Sequence, residues 1–206
     1  MVLGVTSISS ATICNTILEK LGSGVRKCSS GKARGVYEIE LFIDGNILLL
    51  TIFTGRESYS PWAEIGVLNS SQNIFDVLER IISLVAEILG TYSRIMVTYT
   101  WDQETTSLLD RGVHPAATRI GAILVSRGYY VVRNMYFPEG YTEGSPKLVG
   151  ERYVNNKWYT NELCSEVEEL RKLVSGGCVE RGSPCAYAEV SLRNILEHGT
   201  WVIDKC

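Results

Sequence analysis

The longest apolar periodicity in the chain runs from Ile74 to Leu89. Ile74, Leu78, Ile81, Ile82, Val85, Ile88 and Leu89 recur at steps of mostly three and four, the spacing that lines one face of an α-helix. Asn73 stands at the N-cap position, Asp76 lies in the first turn where the helix dipole favours negative charge, and Gly90 ends the run. A face this broad has to pack on a sheet. Upstream, Ile13, Ile17 and Leu21 predict a first helix over 10–21 that stops at Gly22. The Gly-, Ser- and Lys-rich stretch 22–35 reads as an exposed, mobile loop. Two β-type runs follow, 36–43 and 47–54, joined by Asp44-Gly45-Asn46. Asp and Gly tolerate the positive φ angles of a tight turn, so this is a hairpin signal. A third strand, 62–68, comes after the polar loop 55–61.

The second half alternates strands and helices. Residues 94–100 read as a strand with Ile95, Val97 and Tyr99 on one side. Asp102 caps a short helix over 103–111, and Pro115 opens another that runs to Arg127 with Gly128 as its C-terminal glycine. Strand 129–137, a loop over 138–144 and strand 147–153 follow. In the tail, Thr160 caps a helix carrying Leu163, Val167, Leu170 and Val174, closed by Gly176 and Gly177. Ser183-Pro184 opens a last helix with Ala188, Leu192, Ile195 and Leu196 inward, and 201–203 returns to the sheet. Antiparallel strands first and strand–helix–strand units second predict an α+β fold. Its central sheet is mixed and partly antiparallel, with helices on both faces. The core spans 1–153 and a helical extension spans 154–206.

At 206 residues the chain suits one domain. With 45% hydrophobic and 21% charged residues, it can bury a core without a metal or a disulfide scaffold. A net charge of −3 gives no electrostatic basis for a nucleic-acid partner. No apolar run approaches the ~20 residues of a membrane span, and the first residues lack the basic head and apolar run of a signal peptide. The expected location is the cytoplasm. The six cysteines form no CxxC pair and no zinc-ligand spacing with His, so no metal is expected. In a reducing cytosol they are expected to be buried thiols. In a hyperthermophile's cytosol, Cys178 and Cys185 would be the first candidates for a disulfide.

The segment Ala117-Thr-Arg-Ile-Gly-Ala-Ile-Leu-Val-Ser-Arg-Gly-Tyr-Tyr resembles the helix of GNAT-type N-acetyltransferases that ends in a Gly-aromatic step into a strand. The element order is similar too: hairpin, third strand, helix, strand, helix, last strand. A closer resemblance covers most of the chain. Arg111-Gly-Val-His-Pro-Ala-Ala-Thr-Arg-Ile-Gly and Tyr136-Phe-Pro-Glu-Gly-Tyr-Thr-Glu-Gly-Ser-Pro-Lys-Leu-Val-Gly-Glu look like an uncharacterised prokaryotic family, domain of unknown function 1122. That family is itself similar to GNAT folds. The GNAT resemblance implies acetyl-CoA or a longer acyl-CoA held by a Gly-rich loop before the central helix. Here Asn69, Ser70, Ser71, Gln72 and Asn73 occupy that place, with neither glycine nor base, so the pyrophosphate loop is absent. The Tyr that protonates the leaving thiolate in such enzymes falls at Leu124.

Candidate chemistry is spread over several segments. The resemblance makes Glu64, mid-strand, a base acting through water; otherwise its face of the strand meets solvent. Glu139 and Glu143, in a Gly/Pro-bearing loop with Lys147 and Glu151 beyond it, can act as bases or hold an amine, or form surface ion pairs. His114, just before a helix start, suits a neutral general base or a plain cap. Arg119 can hold a carboxylate or phosphate, or a salt bridge to Asp102 or Asp110. Trp101 and Asp102 close a strand at the end where ligands of open sheets bind. Two functions stay open: acyl-CoA-dependent N-acyl transfer to an amine, or a GNAT-shaped ligand-binding or assembly module, a homodimer among its forms, that has lost the CoA site.

Overall fold

The computed structural model describes residues 10–54, 61–90, 93–134, 146–152 and 157–176, with Glu189, Leu192 and Arg193 as isolated positions. Among the described residues the chain forms α1 (Ser10–Leu21), β1 (Val25–Ser30), β2 (Val36–Ile43), β3 (Asn46–Phe53), β4 (Trp62–Asn69) and α2 (Ile74–Leu89). There follow β5 (Arg94–Thr98), α3 (Gln103–Asp110), α4 (Arg119–Ser126), β6 (Tyr130–Asn134), β7 (Lys147–Glu151) and α5 (Lys157–Ser175). The strands make a seven-stranded mixed sheet in the order β1-β2-β3-β4-β5-β7-β6. No helix among them is long and apolar enough to cross a membrane. Two compact units divide the chain, Met1–Met96 and Val97–Cys206.

In the first unit the period-2 alternation of β2–β4 sets one face against the core. Tyr37, Ile39, Leu41 and Ile43 on β2, Leu48, Leu50 and Ile52 on β3, and Ala63 and Ile65 on β4 are all buried. Glu38 and Phe42 point the other way and are exposed. The β2–β3 connection is a two-residue turn in which Asp44 (φ 51°) and Gly45 (φ 83°) both take positive φ. That is the type I′ geometry whose twist matches the flanking strands. Helix α2 buries Ile74, Val77, Leu78, Ile81, Ile82, Leu84, Val85, Ala86 and Leu89, and leaves only Asp76, Arg80 and Glu87 exposed. Its face and the inner face of β2–β4 are two large apolar surfaces of this unit, and both are removed from water. A fully buried Leu or Ile contributes about 1.5–3 kcal/mol in this way.

The stretch expected to be a loop, 22–35, contains β1, which pairs antiparallel with β2 and carries a bulge between Val25 and Lys27. Val25-Arg-Lys-Cys-Ser-Ser shows no apolar alternation because it is an edge strand, defined by its ladder with β2 more than by burial. Arg26 lays its guanidinium 4.3 Å from the Phe42 ring centroid, a cation–π contact across the same ladder.

The expectation of cysteine thiols is also corrected. Cys14 on α1 and Cys28 on β1 form a disulfide, with Cα atoms 5.9 Å apart, and Cys164 is disulfide-bonded as well. Cys28 stands opposite the buried Ile39, on the inner face, where α1 lies over it. Tertiary packing brings the two positions within bridging range, and no sequence spacing announces that. Cys178 and Cys185 lie outside the described residues.

In the second unit, α4 packs against β6 and β7, which pair antiparallel with Val132 opposite Val149. The helix expected from Pro115 onward is divided. Pro115–Ala117 forms a single 3-10 turn, and α4 starts afresh with Thr118 as N-cap. Thr118 Oγ1 accepts from Gly121 N at 3.0 Å and donates to the Pro115 carbonyl at 2.7 Å, so one hydroxyl ends the turn and opens the helix. A Cβ at Gly121 would fall on the Pro115 carbonyl and come within 2.9 Å of Thr118 Oγ1. Residues 120–125 are all buried. Helix α5 begins at Lys157, ahead of the expected cap at Thr160, and buries Val167 and Leu170. The expected helix opened by Ser183-Pro184 and the strand 201–203 fall on residues outside the description, apart from the isolated helical positions 189, 192 and 193.

Two stability predictions follow from these contacts. Removing the Cys14–Cys28 bridge, by Cys14→Ser with Cys28→Ser, should lower unfolding stability by about 3 kcal/mol, the loop-closure value for a ~15-residue loop. Denaturant midpoints of the variant and the parent chain would measure it, and equal midpoints would contradict a structural role. Gly121→Ala should cost about 3 kcal/mol or more, because the added methyl meets rigid backbone rather than a flexible side chain. Thermal melts followed by circular dichroism would read that loss.

Candidate functional site

The run before α2, which stands where a cofactor loop is expected, is tied to the β2–β3 turn. Asn46 is fully buried. Its Nδ2 donates to the Ile43 carbonyl (3.0 Å) and to Asn73 Oδ1 (2.9 Å), while its Oδ1 accepts from Ser71 N at 2.7 Å. Ser71 Oγ donates to the Asp44 carbonyl at 3.1 Å and to Asn73 Oδ1. Asn73 therefore sits at the N-cap position without capping the helix through its side chain, because its oxygen is held by the hairpin. The first backbone donors are engaged as well. Ile74 N bonds the Ser71 carbonyl, and Asp76 N and Val77 N share the Asn73 carbonyl. The Asp76 carboxylate stands exposed in that first turn. Asn69, Ser70 and Gln72 are exposed at the surface of the same run.

Glu64 lies on β4 directly opposite Thr51 of β3, half-buried, on the face away from Ala63 and Ile65. It shares that face with Trp62 and Gly66. None of the other candidate residues lies within this unit apart from the run 69–73.

In the second unit several candidates serve local structure. Asp102 is buried and caps α3, accepting from Glu104 N at 3.2 Å and from the Thr105 hydroxyl. The Trp101 indole N–H donates to the Thr98 carbonyl at 2.6 Å. His114 caps the 3-10 turn, its Nδ1 accepting from Ala116 N at 3.1 Å. That bond requires an unprotonated Nδ1, so the ring is held as the Nε2–H tautomer. Arg119 is the first residue of α4 and half-buried. Lys147 and Glu151 occupy opposite ends of β7, across from Asn134 and Tyr130, too far apart along the strand to act on one group. Glu139 and Glu143 lie outside the described residues.

A cluster that the sequence reading passed over lies in the same unit. Tyr99 follows β5 and is 1% exposed, yet its hydroxyl makes no hydrogen bond of normal geometry. Arg133 on β6 places its guanidinium carbon 5.8 Å from the Tyr99 ring centroid. Arg133 Nη2 donates to Asp110 Oδ1 at 3.1 Å, whereas its Nε is buried without an acceptor. Burial pushes the pKa of the Tyr99 hydroxyl up; the Arg133 cation and its hydrogen-bonding approach oppose that shift, and the Asp110 charge adds to it. Both orphaned atoms are hydrogen-bond donors, and an unsatisfied buried polar atom costs about 1–3 kcal/mol. The signals in the sequence were weak. Tyr99 completes an apolar alternation and reads as core, and Arg133 is one charge in a strand-like run.

Residues 21–176 match the model of a family described as "Protein of unknown function (DUF1122)". Among solved structures, the chain is similar to "Crystal Structure of a Protein of Unknown Function AQ1966 from Aquifex aeolicus VF5". The identity is 26% and the TM-score 0.64, over 92% of this chain and 98% of that one. No curated protein matches the chain. The family model spans well over half of the sequence, and the chain accordingly belongs to the DUF1122 family of proteins of unknown function.

Proposed function

We propose that this chain is a GNAT-shaped domain that binds a small molecule and has lost the pyrophosphate cradle of a CoA-dependent enzyme. Support for the GNAT shape is the element order: the β2–β3 hairpin, β4, α2, β5, then α3 and α4, then β6. The observation that carries the lost cradle is the closure of the run 69–73. Phosphate binding at a helix start needs backbone N–H groups that point outward and positive potential around them. Here the Ile74, Asp76 and Val77 amides bond carbonyls of the same run, and Ser71 and Asn73 are held by the hairpin. Asp76 adds a negative charge where a pyrophosphate would arrive. Leu124, at the place of the expected acid, is fully buried among the apolar side chains of α4.

One observation favours the second reading, acyl-CoA-dependent N-acyl transfer to an amine. Glu64 is half-buried on the less covered face of β4, where a carboxylate acting through water could take the amine proton.

Thermal unfolding in the presence of acetyl-CoA separates the two. A ligand at ~100 times its Kd adds about 2.7 kcal/mol of stability, which moves the Tm of a chain this size by roughly 5–10 °C. The expected result is no upward shift at millimolar acetyl-CoA or CoA. A shift of several degrees would overturn the proposal and favour the transferase. In that case Glu64→Gln should keep the shift and abolish acyl transfer to an amine.

A further inference from the structure

Tyr99 and Arg133 leave two donors buried in the second unit with nothing to donate to. Folded proteins rarely tolerate one such group, and an adjacent pair calls for an acceptor that the described residues do not supply. Arginine has no acceptor atom of its own, so it cannot satisfy the tyrosine O–H. Arg133 is a hydrogen-bonding neighbour of the Tyr99 oxygen, yet its Nε lacks a partner of normal geometry and the Tyr99 O–H still has nothing to donate to. The missing component is therefore an oxygen with free lone pairs.

Charge narrows its class. Asp110 already balances Arg133 through the Nη2 contact at 3.1 Å, so the cluster is close to neutral before any ligand arrives. A phosphate dianion there would add two charges beside the Asp110 carboxylate, in surroundings that desolvate it. A carbonyl adds none, and a carboxylate adds one that two donors can share. The cluster borders solvent on one side, where the Asp110 side chain is 60% exposed and that of Arg133 21% exposed, while Tyr99 forms its buried end. We propose that Tyr99 Oη and Arg133 Nε bind an acyl oxygen, the carbonyl of an amide or ester or one oxygen of a carboxylate. This deepens the ligand-binding reading above and rests on it for the expectation that a small molecule binds. The site itself lies wholly within residues 97–206 and uses none of 69–73.

The test follows the Arg133 Nε–H cross-peak in 15N-correlated NMR spectra of the whole chain, titrated separately with N-methylacetamide, acetate and inorganic phosphate. Saturable movement with N-methylacetamide or acetate is expected, with little or none from phosphate. Tyr99→Phe removes the hydroxyl and keeps the ring beside Arg133, so it should still fold and weaken the response at least tenfold. Arg133→Lys keeps the charge opposite Asp110 but loses the Nε–H; its acetate-induced shifts at neighbouring amides should likewise vanish. Three results would each overturn the proposal. The peak does not respond to either acyl probe; phosphate moves it more than both; or Tyr99→Phe responds like the parent chain. A crystal structure showing an ordered water bridging the two donors, undisplaced by either probe, would also reject it. A CoA-induced Tm shift that leaves this peak unmoved would count against the lost cradle alone.

Discussion

Burial of a wide apolar face on α2 is the constraint on which the first unit depends. Nine side chains of a sixteen-residue helix are removed from water, leaving a single polar stripe of Asp76, Arg80 and Glu87. Because the apolar face is so wide, the helix has little freedom to rotate about its axis. Its N-terminus is then fixed over the β2–β3 turn, where the buried Asn46 amide meets Asn73 and Ser71. The hydrophobic contact sets the position, and the polar network sets the conformation of the run leading in. The polar groups of Ser71 and Asn73 in that run are thereby engaged by the hairpin.

The same logic separates side chains that look functional from those left with unmet chemistry. Asp102, His114, Trp101, Ser71 and Asn73 are residue types that often carry catalysis or binding, and each has a backbone or neighbouring partner close at hand. Short polar side chains beside helix starts find those partners readily, since the first N–H groups of a helix lack internal acceptors. Tyr99 and Arg133 differ in reach and setting. A long side chain from β6 meets an aromatic ring just past β5 in a dry region, where satisfying every donor requires something more than local backbone.

Much of the architecture was legible from residues 36–53 and 74–89. The type I′ turn at Asp44-Gly45, the alternation on either side of it and the three-four spacing of α2 are local properties, written in neighbouring side chains. The split of the expected helix at Thr118 was less legible, because a Thr within a helical pattern can either continue the helix or cap a new one. The edge strand β1 escaped notice because its partner, β2, supplies the order that its own polar sequence lacks.

What the sequence determined by itself, then, is the set of segments that must bury an apolar face and the turns that let them do so, since both arise from residues within a few positions of each other. What only the tertiary structure decided is which distant groups meet. Cys14 reaches Cys28 because a helix lies over a strand. Asn46 anchors Asn73 because a hairpin turn abuts a helix start. Tyr99, just past β5, and Arg133, on β6, come together with α3, the 3-10 turn and α4 between them in sequence, and no period in the chain encodes that approach. Packing places such groups, and only once placed do their unmet hydrogen bonds acquire chemical meaning.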